Sequence, residues 1–278
     1  MIIVTGATGN VGARTVELLR SQGQQVRGLC RHPSHPDDLS VDLGDPDAIM
    51  AAMTGAKAVF AIVPAVENQL TMEHNLISAA KQVGVDHYVR LSSLGADPNG
   101  KDSVSRVHGR AEQILEESEL SYTHIRANYF MQMFLAQAEN IAQKKIFAIC
   151  SVGSAKVGFI DTRDIADVAA IALSQSSYKG ATLRLTGPSL MTFSDAVDML
   201  SNATKREINY IDMESGEYQE ALLSVGVSAF LAEHVIGLYS RIGTGGSAVI
   251  TNDVAKTTGH PARSFKTFAT DYANKFTE

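Results

Sequence analysis

Apolar and polar positions follow two alternating periods along the first half of the chain. Residues 2–6, Ile-Ile-Val-Thr-Gly, form a short β-branched run closed by glycine, the pattern of a buried parallel strand. Residues 12–22 then place Val16, Leu18 and Leu19 among polar neighbours, the pattern of a helix covering a sheet. The alternation continues: strands at 24–30, within 38–45 ending in Asp42, at 57–64, within 86–96 ending in Ser92 and Ser93, and at the start of 122–130, with helices at 46–53, 70–84 and 107–119. Pro46 opens the second helix, and Met72, Leu76, Ala79, Ala80 and Val83 line one face of the third. Strand and helix alternating this often predict a parallel sheet covered on both faces, wound by right-handed crossovers into a doubly wound α/β fold.

After residue 150 the rhythm weakens. Residues 157–160 look strand-like and lead into a helix ending near 175, with Ile165, Val168, Ala169 and Ala172 inside. Residues 180–188 read as one more strand returning to the sheet. Residues 192–206 read as a capped helix with Phe193, Ala196, Val197 and Leu200 inside, and the remainder as helical and mixed.

The first strand-to-helix turn carries the candidate chemistry. "TGATGNVG" (5–12) spaces Gly6, Gly9 and Gly12 as a dinucleotide fold requires. Gly6 permits the tight turn, Gly9 lets the backbone approach a diphosphate, and Gly12 lets the helix pack close to its strand. With Thr8, Asn10 and Val11 between them, they form a candidate phosphate cradle at a helix N-terminus. A second glycine-rich stretch, residues 243–247, has no buried strand before it and reads as a flexible loop. Arg31 falls at the end of the second strand, where an acid would bind a ribose 2′-OH and an arginine instead suits a 2′-phosphate. Arg27 and His32 extend that patch, and Asp42 lies where an adenine would sit. The pattern predicts NADP(H), preferred over NAD(H), on a Rossmann-type domain spanning 1–150. A smaller substrate-side lobe at 151–278 interleaves with it through the strand near 181–187.

Composition narrows the choice of partners. The chain has 30 acidic and 24 basic residues, a formal net charge of -6, and no cluster of Lys and Arg. Neither a nucleic-acid nor an anionic-membrane footprint is visible. Cys30 and Cys150 stand outside any CxxC or metal-ligand spacing and read as buried small hydrophobes. No His pair or His/carboxylate cluster reads as a metal site. The chain opens on its first apolar run with no charged leader, and no apolar run approaches ~20 residues. A cytoplasmic protein is expected.

The glycine turn, Arg31, "AAKQVGVDHYVRLSSLGAD" (79–97), "HGRAE" (108–112), "SYTHIRANYF" (121–130) and "FIDTRDIADVAA" (159–170) together resemble the NmrA-like atypical short-chain dehydrogenases/reductases. The pattern is most similar to the triphenylmethane reductase and NADPH-dependent quinone reductase subgroup, over nearly the whole chain. The resemblance implies NADP(H) binding and hydride transfer to quinones or to azo or triphenylmethane dyes. The same family also holds non-catalytic members that bind the nucleotide as redox sensors and act through a protein partner.

The residues themselves limit the chemistry. Alcohol- and ketone-handling relatives use a tyrosine with a lysine four residues on; this chain has 8 tyrosines, none followed by Lys at that spacing. Where related reductases carry that lysine, this chain has His108, and the subgroup's His-then-Glu pattern falls on His108 and Glu112, one helical turn apart. An electron-poor aromatic acceptor needs little acid assistance, so positioning against the nicotinamide can supply most of the rate. Candidate residues there come from strand ends, with Ser92 and Ser93 after one strand and Asn128, Tyr129 and Phe130 after another, Ser92 being on the cofactor side; His108 on the 107–119 helix joins Asn128 and Tyr129 for orientation. Asn128 stands where many relatives have proline and the subgroup has asparagine. Tyr129 and Phe130 either stack on a flat acceptor or begin a core helix through 130–139, and His108 is alternatively a structural histidine. Two readings therefore stand: a reductase of quinones or similar flat acceptors, and an NADP(H)-sensing module. Only the reductase requires an acceptor cavity.

Overall fold

The computed structural model describes residues 1–33 and 35–277. Seven strands build the main sheet: β1 (Ile2–Thr5), β2 (Val26–Cys30), β3 (Leu39–Ser40), β4 (Ala58–Ala61), β5 (His87–Ser93), β6 (Tyr122–Ala127) and, after β7 (Ile146–Cys150), β8 (Ala181–Leu185). Their order is β3-β2-β1-β4-β5-β6-β8, and every pairing is parallel. The chain runs outward from β1 to β3, then returns to the other side of β1 with β4. The reversal opens a crevice between the carboxyl ends of β1 and β4, where such sheets bind ligands. Thr5 spans it: its hydroxyl donates to the Ile62 carbonyl (2.8 Å) and accepts from the Ile62 N–H (2.7 Å).

Both faces of the sheet are covered because successive strand residues are apolar in both directions. On one side Ile2, Val4, Phe60 and Val89 pack under α1 (Asn10–Ser21) and, later in the chain, α6 (Thr162–Ser174). On the other, Ile3, Val59 and Tyr88 pack under α2 (Pro46–Met53), α3 (Gln69–Val83) and α4 (Ser103–Glu117). Asp45 caps α2 by accepting from the Asp47 and Ala48 N–H groups, and Pro46 fixes its first turn.

The second lobe forms around aromatic side chains. Residues 130–139, one candidate core helix, instead give a short 3₁₀ stretch (Met131–Gln137) followed by α5 (Ala138–Lys144). Phe134 from that stretch stacks on Phe147 (4.7 Å between ring centres) and meets Phe265 edge-on (4.9 Å). The remaining elements are α7 (Phe193–Thr204), β9 (Asn209–Met213), α8 (Ser215–Ser224), α9 (Ala229–Gly243), α10 (Asp253–Thr258) and α11 (Phe265–Asp271). Thr192 and Asp195 close a reciprocal capping box on α7.

Three local expectations change. β7 and β9 form a separate two-stranded parallel sheet that the hydrophobic pattern did not suggest. β9 is half exposed and pairs across some sixty residues of chain, so its local pattern is weak. Residues 157–160 are extended but join no strand, holding only single bridges, Phe130 to Ile160 and Val157 to Met191. The short strand expected to end at Asp42 shrinks to Leu39–Ser40, with Asp42 beyond it. The lobes interleave: β7 lies in the small sheet while α6 and β8 belong to the large one.

Gly12 shows what the close packing demands. A Cβ at Gly12 would overlap the Gly6 carbonyl at the α1–β1 approach. We expect Gly12→Ala to lose about 1–3 kcal/mol of stability, as overpacking of a rigid contact does. Chemical denaturation checks it, and a variant as stable as the parent would mean that α1 can shift.

Candidate active site

Two adjacent cavities lie at the carboxyl ends of the strands, with Ile62 in the wall of both. The first, of about 320 Å³, is lined by Gly6, Thr8, Gly9, Cys30, Arg31, Asp42 and Met72, among others. Gly6 has φ +59°, the left-handed turn that brings the chain from β1 into α1. Gly9 precedes α1 without any side-chain cap, and the first turn carries no acid. The first helical N–H to find a backbone acceptor is that of Ala13, on the Gly9 carbonyl (2.9 Å). The N–H groups of Asn10, Val11 and Gly12 thus stand open at the positive end of a twelve-residue helix. Thr8, Gly9 and Asn10 are exposed, whereas Val11 buries its side chain and offers only its N–H. A diphosphate fits this cradle.

Arg31 stands exposed at the rim of the same cavity, just past β2. Asp38, before β3, is turned inward, accepting from the Gly28 N–H (2.7 Å) and from Arg20 (2.6 Å). The patch is smaller than expected: Arg27 donates to the Ala52 carbonyl (2.9 Å) and is unavailable, leaving Arg31 and exposed His32. Asp42 accepts from the Gly44 N–H (2.8 Å) through one oxygen, and the other remains for an adenine.

The second cavity, also about 320 Å³, shares Ile62 with the first. Strand ends supply Leu91, Ser92, Ala127, Asn128, Tyr129 and Phe130, while α4 supplies His108 and α9 closes the far wall. Its surface is mostly apolar, with a few polar groups converging on it.

Comparison with known proteins agrees with this geometry. An NAD(P)H-binding family model matches residues 6–176, more than half of the chain. The chain belongs to that NAD(P)H-binding family. It is 32% identical to an NAD(P)H azoreductase of Xenophilus azovorans over 99% of both chains. An NADPH-dependent quinone oxidoreductase of Escherichia coli, solved with NADPH, superposes with a TM-score of 0.86 at 25% identity, over 98% of this chain and 99% of that one. A Citrobacter sp. triphenylmethane reductase complexed with NADP(H) shares the fold, with a TM-score of 0.83 at 20% identity over 98% and 99%.

Within this NAD(P)H-binding chain, a buried charge network sets the acceptor end. Arg90, fully buried on β5, holds Glu73 of α3 through two hydrogen bonds (3.1 and 2.6 Å). The same guanidinium lies 3.3 Å from His108 Nδ1. A guanidinium only donates, so Nδ1 is the acceptor and the ring's proton sits on Nε2. Burial and the neighbouring Arg90, His234 and Arg241 hold the His108 pKa well below the ordinary imidazole value. His108 is therefore neutral, with one N–H to offer. Its helical neighbour Glu112 faces elsewhere, accepting from Ser92 Oγ (2.6 Å) and pairing with Arg126.

Three sequence candidates reach the cavity with their polar atoms already engaged. The Ser92 hydroxyl is committed to Glu112. Asn128 donates to the Ser247 carbonyl (3.0 Å) and accepts from the Tyr129 N–H (2.9 Å), pinning residues 243–247 to the sheet. That glycine-rich stretch, expected as a free loop, is anchored there, with Ser247 buried. The Tyr129 hydroxyl lies 2.9 Å from that of Tyr239, and its ring packs edge-on against Phe159 and Phe193. Tyr129 thus serves the core, and half-buried Phe130 is the aromatic ring left for a flat ligand. Glu112, Glu116 and His124 bring possible ligand atoms within 4.8 Å of one another, a grouping the sequence did not suggest. Arg126 already fills the place a cation would take there.

The sequence reading missed Arg90, Glu73, His234 and Arg241. A signal existed on α9. Leu231, His234, Leu238 and Arg241 follow a helical repeat, so a histidine and a cation sit in an otherwise apolar stripe. For the cradle, we expect Gly9→Val to remain folded, because a Cβ there meets only the Gly6 carbonyl at 3.3 Å. It should weaken NADPH binding by about tenfold or more by blocking the diphosphate. Titration of the folded variant checks this, and unchanged affinity would remove the cradle.

Proposed function

We propose that the protein is a cytoplasmic NADPH-dependent reductase of quinones or similar flat, electron-poor aromatic acceptors, azo and triphenylmethane dyes included. The observation that carries this reading is the apolar cavity that shares the Ile62 wall with the nucleotide cleft. A sensor needs no such chamber. The named activities of the azoreductase and quinone oxidoreductase relatives point the same way.

The bound cofactor supplies a hydride; the chain's own residues bind, orient and exclude water. The α1 N-terminus and Gly9 would hold the diphosphate, and Arg31 would pair with the 2′-phosphate. Leu91, Ala127 and Phe130 offer an apolar seat for a ring, and α9 covers it from solvent. As negative charge develops on a quinone oxygen or an azo nitrogen, the neutral His108 Nε2–H is placed to donate to it. Arg90 keeps that tautomer in place, and Glu73 keeps Arg90 in place. Asn128 shapes the cavity floor through Ser247 and Tyr129 instead of touching the reacting atoms.

Two outcomes test this. NADPH should bind about tenfold to a hundredfold more tightly than NADH, the worth of a charge-assisted bond to phosphate, and Arg31→Glu should erase the difference. Equal affinity in the parent protein would disprove the Arg31 assignment. His108→Ala should lower kcat/KM for one quinone by roughly tenfold to a hundredfold, with His108→Gln, which keeps an N–H donor, recovering part of it. Because the folded His108 pKa lies below the ordinary value, the imidazole stays neutral at and above pH 6.5, and its protonation contributes no limb to the rate profile between pH 6.5 and 8. Total loss of turnover in His108→Ala, with folding and NADPH binding intact, would mean obligatory proton transfer.

A further inference from the structure

The wall contributed by α9 carries a cation that no group among the described residues fully answers. Arg241 passes between Gly95 and Gly246, and a Cβ on either glycine would collide with its side chain. The side chain is 14% exposed, and Nε and Nη1 are shielded from solvent with no hydrogen-bond partner among the described residues. The nearest carboxylate is Asp102, whose Oδ2 lies 4.0 Å from Nε, outside hydrogen-bond reach. Both oxygens of Asp102 are already used, one by the Ser105 N–H (2.8 Å) and one by the Ser105 hydroxyl (2.6 Å). Asp102 thus offsets part of the charge and satisfies none of the donors.

The neighbouring polar groups deepen the surplus of donors. His108 has its Nδ1 committed to Arg90 and offers only an N–H. His234, two turns before Arg241 on the same face of α9, has Nδ1 3.2 Å from the Ser103 hydroxyl. No carboxylate is among the described residues that line the cavity. A buried guanidinium whose charge is only partly offset is costly, and an anion bound beside it lowers that cost. The two glycines exist at positions where only a bare backbone admits the side chain, so Arg241 is seated in this place by the packing around it.

We infer that Arg241 forms an anionic subsite within the acceptor cavity. Resting on the reductase reading, this narrows the substrate class to planar aromatic acceptors that carry a sulfonate, carboxylate or phosphate substituent. The ring lies on the apolar surface near Phe130 and Leu238, and the anionic group reaches Arg241. Nη2, the guanidinium nitrogen not shielded by the packing, can donate a charge-assisted hydrogen bond to an oxygen of such a group, and an uncharged quinone lacks the charge that strengthens it.

The test compares 1,4-naphthoquinone with 1,4-naphthoquinone-2-sulfonate in steady-state assays on the parent protein, Arg241→Met and Arg241→Lys. The preference for the sulfonate, read as the ratio of kcat/KM values, should fall by roughly tenfold to a hundredfold in Arg241→Met and by less in Arg241→Lys. A merely structural arginine would lower both acceptors together and leave the ratio unchanged, and that result overturns the inference. Should Arg241→Met fail to fold, Arg241→Gln is read in the same way. If the parent reduces neither quinone, the reductase reading fails, and calorimetry decides the subsite separately. There 2-naphthalenesulfonate should bind the NADP⁺-loaded parent at least about tenfold more tightly than the NADP⁺-loaded variant; equal binding rejects the subsite.

Discussion

The approach of α1 to β1 is the contact on which the rest of the site depends. Gly12 lies so near the Gly6 carbonyl that a single added carbon would collide with it. That closeness lets the helix begin almost at the end of the strand, with the Asn10, Val11 and Gly12 N–H groups gathered over the crevice. The crevice itself comes from topology, since β2 and β4 leave β1 in opposite directions. Thr5, bonded twice to Ile62, fixes the width of the gap at the point where the nucleotide cleft meets the second cavity.

Beneath the second cavity, the protein keeps ionic groups where apolar residues would be simpler. Arg90 on β5 is fully buried, with Glu73 as counter-charge and His108 as a further acceptor. A buried ion pair contributes little net stability, because desolvation offsets most of the attraction. Its value lies in direction: Arg90 can only donate, so it decides which imidazole nitrogen carries the proton. A neutral N–H donor suits an acceptor that gains electrons without requiring a strong acid. The absence of the tyrosine–lysine pair and the presence of this network express the same chemistry.

Neighbouring residues divide their tasks between the lobes. Asn128, Tyr129 and Phe130 follow β6 in succession, yet each faces a different partner. Asn128 ties the sheet to residues 243–247, Tyr129 enters the aromatic core with Phe159 and Phe193, and Phe130 remains at the cavity. α9 brings Leu238, His234 and Arg241 to the same chamber that the ends of β5 and β6 line from the sheet.

The parallel sheet, its helices on both faces and the nucleotide end were legible in the sequence because each depends on local periods and short-range spacing. A β-branched run, a glycine triplet and Arg31 lie within one strand–helix–strand unit, and their chemistry follows from adjacency. The acceptor end was not legible in the same way. Arg90 reads as a lone polar residue in a strand, and Glu73 as an exposed helix position, until α3 is laid across β5 and the two meet. Asn128 and Tyr129 were placed correctly at the strand end, but their bonds run to Ser247 and Tyr239, more than a hundred residues away. The β7–β9 sheet and the Arg241 passage between Gly95 and Gly246 likewise join distant segments. Sequence by itself determined the first strand, the glycine turn and the helix that follows, since local periods and backbone geometry make that unit. Only the tertiary structure decided which side chains face an acceptor, since burial and hydrogen-bond partners exist only after distant segments have packed.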